Sequence, residues 1–214
     1  MKVDVLCSDP LHPVFSYLQS WQDKQTGDIK VRLLTDTSEL SSGAILFLVS
    51  CNQILTAIDR AGYDHVMVLH ASDLPVGRGW SPHIWDILAG KETLTLSLIA
   101  AEDGVDTGDI WAKCLFQVPA HMLYDEINHA LFSAEISLME AGIRMVREGA
   151  RATPQQERDA SYHPPRRPQD SKVDPKLPLE DLFHQLRVAD PDRFPAFFDL
   201  HGTTYEISLK KRKR

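Results

Sequence analysis

Apolar residues fall into two alternating patterns along this chain. Short apolar runs predict strands at residues 3–7, 30–34, 44–50, 65–69, 93–100 and 109–118. The run at 44–50 is nearly uniformly apolar, as expected of a central strand buried on both faces. Between these runs, apolar residues recur every three or four positions. Residues 11–24 carry Val14, Phe15, Leu18 and Trp21 at helical spacing, and residues 52–60 predict a short helix. Residues 81–88 open on Ser-Pro, an N-cap and first-turn pair, and stop at Gly90. The strongest helix spans 121–147, with Leu123, Ile127, Leu131, Ala134, Leu138 and Met145 on one face before Gly149. Strands separated by helices predict an α/β fold, a mostly parallel twisted sheet with helices on both faces.

The pattern changes near residue 150. Residues 151–176 are polar and hold Pro154, Pro164, Pro165, Pro168 and Pro175, which predicts an extended segment. A short helix follows at 179–188. Residues 194–200 and 203–209 then alternate around His201-Gly202, a hairpin signal. The expected organisation is an α/β domain over 1–150 and a Pro-rich connector with a small helix and hairpin extension over 151–214.

Composition narrows the function classes. With 43% hydrophobic and 25% charged residues, the 214-residue chain has the profile of a soluble globular protein. Its apolar runs are too short to span a bilayer, so no membrane partner is expected. The start, MKVDVLCSD, has an Asp within its apolar stretch and reads as a first strand, not a signal peptide. The expected location is cytoplasmic. Cys7, Cys51 and Cys114 read as free thiols in a reducing compartment, with a metal site or disulfide as alternatives. A net charge of -7 argues against a broad nucleic-acid surface. Only the basic tail over 210–214 departs from this, and a charge run there reads first as a solvated terminus.

Ser8-Asp9-Pro10 stands where a glycine-rich dinucleotide fingerprint would follow the first strand, and there is no Walker phosphate loop. The polar chemistry sits later, in HASDLPVGRG over 70–79 and GVDTGDI over 104–110. His70 follows an apolar strand, where open α/β sheets place reactive groups, and the Asp-Thr-Gly turn can bring Asp106 to the same edge. A lone His at a strand end is most often structural. The joint pattern of His70, Ser72, Leu74-Pro75, Gly79 and Asp106-Thr107-Gly108 favours a His/Asp pair across a cleft.

These motifs resemble the signature of the folate-dependent formyltransferases, a His-x-Ser-x-Leu-Pro-x-x-x-Gly loop followed by an Asp-Thr-Gly or Asp-Ala-Gly turn. The resemblance covers residues 44–147. It extends more weakly to Arg166-Arg167-Pro168-Gln169-Asp170, Leu186-Arg187 and residues 194–198, which echo the sugar N-formyltransferases. The string HASDLPVGRGWSPHIWDIL is similar to a compact bacterial subgroup linked to pseudaminic-acid-type pathways. The resemblance implies transfer of a formyl group from 10-formyltetrahydrofolate to the amine of a nucleotide-linked amino sugar in surface-glycan biosynthesis, releasing tetrahydrofolate without a metal. It leaves room for a homodimer and implies that the C-terminal extension contributes to the acceptor site.

In that chemistry His70 is the natural proton acceptor or oxyanion donor, and Asp106 can fix its tautomer, stabilise its charged form or relay a proton. The resemblance places the pterin near Gln53, Ile54 and Leu55 and the turn Glu102, Asp103, Gly104 and Val105. The loop residues Ser72, Leu74, Pro75 and Gly79 fall on the acceptor side. Arg78, Arg166, Arg167 and Arg187 are candidates for a diphosphate, and Trp80, Tyr162 and Phe198 for stacking on a sugar or base. Core packing or plain exposure is the ordinary alternative for each.

One position departs from the family. The family's Asn two residues before the His, which helps hold the formyl oxygen, is Val68 here. Removing such a donor costs about 2.7–4 kcal/mol in enzymes that rely on it. Asn52, His70 and a main-chain amide of the 75–79 loop are the candidate replacements, with a helix N-cap as the alternative role for Asn52. Other acceptors (a peptide, an amino acid or aminoacyl-tRNA) and a catalytically silent binding relative remain open alternatives.

Overall fold

The computed structural model describes residues 1–53, 55–156 and 158–212. Six strands form the main sheet: β1 (Lys2–Leu6), β2 (Lys30–Leu34), β3 (Gly43–Leu48), β4 (Tyr63–His70), β6 (Thr93–Ala100) and β7 (Ile110–Gln117). Between β4 and β6 lies the two-residue strand β5 (Arg78–Gly79). The spatial order is β2-β1-β3-β4-β6-β7, with the first four strands parallel and β6 and β7 each antiparallel to its neighbour. The chain runs outward from β1 to β2 and back past it to β3. The carboxyl ends of β1 and β3 therefore flank the crevice where open α/β sheets bind ligands.

The long helices α1 (Val14–Lys24) and α4 (Tyr124–Arg147) share one face of the sheet. They pack on Val3, Val5, Phe47, Met67, Leu96 and Leu98. The opposite face is covered more lightly, by a 3₁₀ turn at Thr37–Glu39, the short α2 (Ala57–Arg60) and their loops, over Leu6, Leu34, Leu46 and Leu48. Asp4 is fully buried on β1. It accepts bonds from Arg32 Nε at 2.9 Å and Nη2 at 2.5 Å, and from the Tyr63 hydroxyl at 2.6 Å.

The mostly parallel α/β fold follows the apolar pattern, and the differences are local. The helix expected over 52–60 forms only at Ala57–Arg60, with Thr56 as its N-cap, so Asn52 is not a helix cap. Ser81 does precede α3 (Pro82–Leu88), but in a left-handed conformation (φ 47°) and without a side-chain cap bond. Beyond α4, the connector contains β8 (Tyr162–His163) and a 3₁₀ turn at Pro168–Ser171, then α5 (Leu179–Val188). The predicted hairpin forms as β9 (Ala196–Leu200) and β10 (Thr203–Ile207), with His201 and Gly202 both at positive φ, as a tight hairpin turn of the primed type requires. Apart from the residues outside the described range, the basic tail is not free: Lys211 Nζ bonds Glu126 Oε1 at 2.6 Å in the first turn of α4.

Candidate active site

His70 is the last residue of β4, and only 6% of its surface is exposed. Its Nε2 lies 2.8 Å from the Gly77 carbonyl, which can only accept, so Nε2 carries the hydrogen. Nδ1 is thereby left as the nitrogen that takes and gives a proton, and it faces Asp106 Oδ1 at 3.4 Å. The other Asp106 oxygen accepts the Gly79 amide at 2.8 Å. Asp106 itself stands at φ 55°, in the left-handed region that an Asp tolerates better than most residues. Gly108 completes the turn because any Cβ there would fall 1.8 Å from the Ala100 carbonyl oxygen.

The two motifs are clamped by a segment that the residue pattern marked only as extended. Ser161 takes the Gly77 amide on its hydroxyl at 2.9 Å and the Arg78 amide on its carbonyl at 2.8 Å, and the His163 carbonyl takes the Trp80 amide at 3.2 Å. β5 and β8 pair here in parallel. Gln155 donates to the Asp106 and Gly108 carbonyls at 2.9 and 2.7 Å and accepts from Arg78 Nη2 at 2.9 Å. Connector, loop and turn thus form one hydrogen-bonded unit around the His/Asp pair.

That unit opens onto a cavity of about 770 Å³. One side is the apolar slot of Leu48, Leu55, Val68 and Ile99, edged by Gln53 and the turn Glu102, Asp103, Gly104 and Val105. Arg60 reaches this edge and pairs with Asp103. The other side is formed by His12, His83, Tyr124, Asn128, Phe132, Glu135, Asp190 and Arg193. Here burial, and next the nearby His70, hold the His83 imidazole down to about 4. Burial pushes the Glu135 carboxyl up to about 8, and its Oε2 has no hydrogen-bond partner among the described residues. No group of side chains suited to a metal ion occurs among the described residues.

No protein-family model matches the chain. In sequence it is 30% identical over 208 residues to mitochondrial 10-formyltetrahydrofolate dehydrogenase of Mus musculus, an alignment covering 92% of this chain and 22% of that protein. The chain spans about a seventh to a half of the length of the curated relatives it matches. In structure it superposes on methionyl-tRNA formyltransferase from Clostridium thermocellum with a TM-score of 0.84 at 20% identity, covering 100% of this chain and 94% of the other. It also superposes on the N-formyltransferase from Helicobacter canadensis in complex with folinic acid and dTDP-3-aminofucose, with a TM-score of 0.70 at 14% identity and coverage of 95% and 86%. The fold is the formyltransferase fold.

Within that fold the expected site residues separate into two groups. His70, Asp106, Asn52, Gln53, Leu55, Glu102, Asp103, Gly104, Val105, Gly79, Trp80, Arg166 and Arg167 all line the cavity. Ile54 lies outside the described residues. Ser72, Leu74, Pro75, Arg78 and Arg187 do not line it. Ser72 and Leu74 are buried under the loop, and the Leu74-Pro75 bond is cis. Arg78 is 2% exposed, with its guanidinium on Gln155 and the Tyr162 hydroxyl, so it clips the connector and offers no charge to a diphosphate. Arg187 is fully buried, donating to the Pro119 and Met122 carbonyls at 2.9 and 3.3 Å. Tyr162 and Phe198 are also absent from the cavity wall.

The main-chain option for the oxyanion is corrected as well. The amides of Val76, Gly77, Arg78 and Gly79 all donate within the protein, to Asp73, Ser161 twice and Asp106. Asn52 is exposed on the cavity rim, with its amide N–H on Ser8 Oγ at 2.9 Å and its side chain without a hydrogen bond among the described residues. The residue pattern did not single out His12, His83, Tyr124, Asn128 and Glu135. A signal for the last existed: Glu135 interrupts the stripe Ile127, Leu131, Leu138 at helical spacing, where an apolar residue belongs.

Proposed function

We propose that the protein is a folate-dependent N-formyltransferase that carries a formyl group from 10-formyltetrahydrofolate to the amine of a nucleotide-linked amino sugar. The observation that carries this reading is the His70–Asp106 pair, held at the edge of a cavity with one apolar and one polar side. The slot between Leu48, Leu55 and Val68 suits a flat pterin, whose polar edge would meet the 101–105 turn. Bound there, the folate would supply the formyl carbon. His70 takes up the amine proton at Nδ1 while the Gly77 carbonyl holds the ring, and Asp106 balances the charge that forms. Val68 has no hydrogen to offer the formyl oxygen, and with the loop amides engaged, Asn52 is the side-chain amide assigned to that place. Arg166, stacked over Trp85 at 5.9 Å, and the neighbouring Arg167 supply positive charge for an acceptor diphosphate.

The Helicobacter canadensis likeness supports a sugar acceptor, and a place in surface-glycan assembly would follow from it. A methionyl-tRNA acceptor is the second reading, favoured by the Clostridium thermocellum likeness and opposed by the net charge of -7. The test is a panel of nucleotide-linked amino sugars and methionyl-tRNA, each incubated with 10-formyltetrahydrofolate and read by mass spectrometry. The expected result is a mass gain of one formyl group on an amino sugar, abolished in His70→Ala. Formylation of methionyl-tRNA alone would replace the sugar reading. Tetrahydrofolate binding without formylation of any amine would leave a silent relative. Asn52→Ala is expected to lower turnover by about 100-fold while leaving folate affinity unchanged.

A further inference from the structure

Helix α4 presents Tyr124, Asn128, Phe132 and Glu135 to the cavity at spacings of four, four and three residues, so Leu131 and Phe132 separate a polar Tyr124–Asn128 end from Glu135. Tyr124 is already engaged, its hydroxyl bonded to Asp190 Oδ2 at 2.7 Å. Asp190 also caps the Asp192 and Arg193 amides, and Arg193 reaches Asp9 at 2.8 Å. Among the described residues, Asp9 and Asp190 on this side therefore both have fixed internal partners, and Glu135 Oε2 has none. Glu135 is 6% exposed and lies beside Cys7 at the carboxyl end of β1, against the crevice between β1 and β3. A buried acid with an unpartnered oxygen costs stability, and one that lines a cleft is a candidate for contact with a ligand.

We propose that Glu135 receives the acceptor's primary amine, a role that rests on the formyl-transfer reading above. The titratable groups that line the cavity with it set the proton count. His12 comes from the β1–α1 loop, where its Nδ1 accepts the Val14 amide at 3.2 Å, and His83 comes from α3. Burial holds both imidazoles below their ordinary value, so neither adds a full positive charge near neutrality. Cys7 is pushed up to about 11 and stays a thiol. Arg193 is neutralised by Asp9, and Arg166 lies across the cavity on Trp85. Glu135 thus starts protonated. An arriving ammonium brings one proton more than the pair can hold. On docking, one proton goes to solvent, and the remaining proton is shared between the Glu135 oxygen and the amine nitrogen. When it settles on the carboxyl, the N–H bond is broken, the O–H bond is formed, and the nitrogen keeps the lone pair that attack on a formyl carbon requires.

The test is calorimetric titration of the tetrahydrofolate-saturated protein at pH 7 in buffers of different ionisation enthalpy. The probes are dTDP-3-aminofucose and dTDP-fucose, which lacks the amine. The wild type is expected to release close to one proton per aminosugar bound and to prefer it over dTDP-fucose by about tenfold. In Glu135→Gln both the release and the preference should vanish, while affinity for dTDP-fucose and tetrahydrofolate is kept. Glu135→Leu serves as the second variant if the amide disturbs folding. Unchanged proton release and preference in a folded variant would overturn the proposal. If neither nucleotide sugar binds while tetrahydrofolate does, the sugar acceptor fails and the titration is repeated with methioninamide. Absence of Glu135-dependent proton release there too overturns the proposal. Loss of tetrahydrofolate binding in the wild type would instead overturn the formyl-transfer reading itself.

Discussion

Asp4 and Glu135 are both buried carboxyls, on opposite faces of one sheet, and they are handled in opposite ways. Burial of Asp4 would raise its pKa, yet the bonds from Arg32 and Tyr63 outweigh it and hold the carboxyl below its ordinary value. Glu135 is buried with no such partner, and desolvation alone carries it up to about 8. Burial therefore does not by itself set the charge of an acid. The inventory of partners does: Asp4 is completed by Arg32 and Tyr63, and Glu135 Oε2 has no partner among the described residues. Asp106 stands between them, with one oxygen on a backbone amide and the other on His70.

If that contrast is right, substitutions at the three acids should move different observables. The largest effect is expected at the intermediate case. Asp106→Asn, and equally His70→Ala, should cut formyl transfer by at least about 100-fold with little change in melting temperature. Near-normal rates in either purified variant would remove that residue from the chemistry.

At the completed acid the effect should be on stability instead. Asp4→Ala should cost about 2–3 kcal/mol in urea unfolding, since it leaves the Tyr63 hydroxyl hydrogen without its acceptor and Arg32 without its carboxylate, with turnover of the remaining folded protein retained. Because the folded pKa of Asp4 is depressed, its contribution is present above the unfolded value of 3.8 and is lost as pH falls through the folded one. The variant should show a shallower loss of stability below pH 4. An unchanged acid limb would mean that the pair contributes little.

The incomplete acid predicts the opposite slope. Glu135 is protonated when folded and ionised when unfolded over the range from 4.5 to about 8, so the unfolded chain binds fewer protons there. Wild-type stability should fall across that window, at up to about 1.4 kcal/mol per pH unit, relative to Glu135→Gln. Parallel stability curves for the two proteins would show that Glu135 already has a partner. The smallest effect is expected at the tail: deleting residues 210–214 removes the exposed Lys211–Glu126 pair and should cost no more than about 1 kcal/mol, with no change in turnover.

The strands, the long helices and the hairpin were legible from apolar spacing, because each buries one face and the period of that face is written in the residues. His70 and Asp106 were legible because both lie in short contiguous motifs at strand ends. Only the tertiary structure decided what the arginines do. Arg78 and Arg187 carry the same charge as Arg166 and Arg167, but the first two are enclosed by carbonyls and side chains from residues distant in the chain. Likewise, Gln155 and Ser161 hold the active loop through contacts 47 to 84 residues away in sequence. Periodicity reports which side of an element avoids water. It carries no information about which polar partner arrives from elsewhere, and that partner is what distinguishes Asp4 from Glu135.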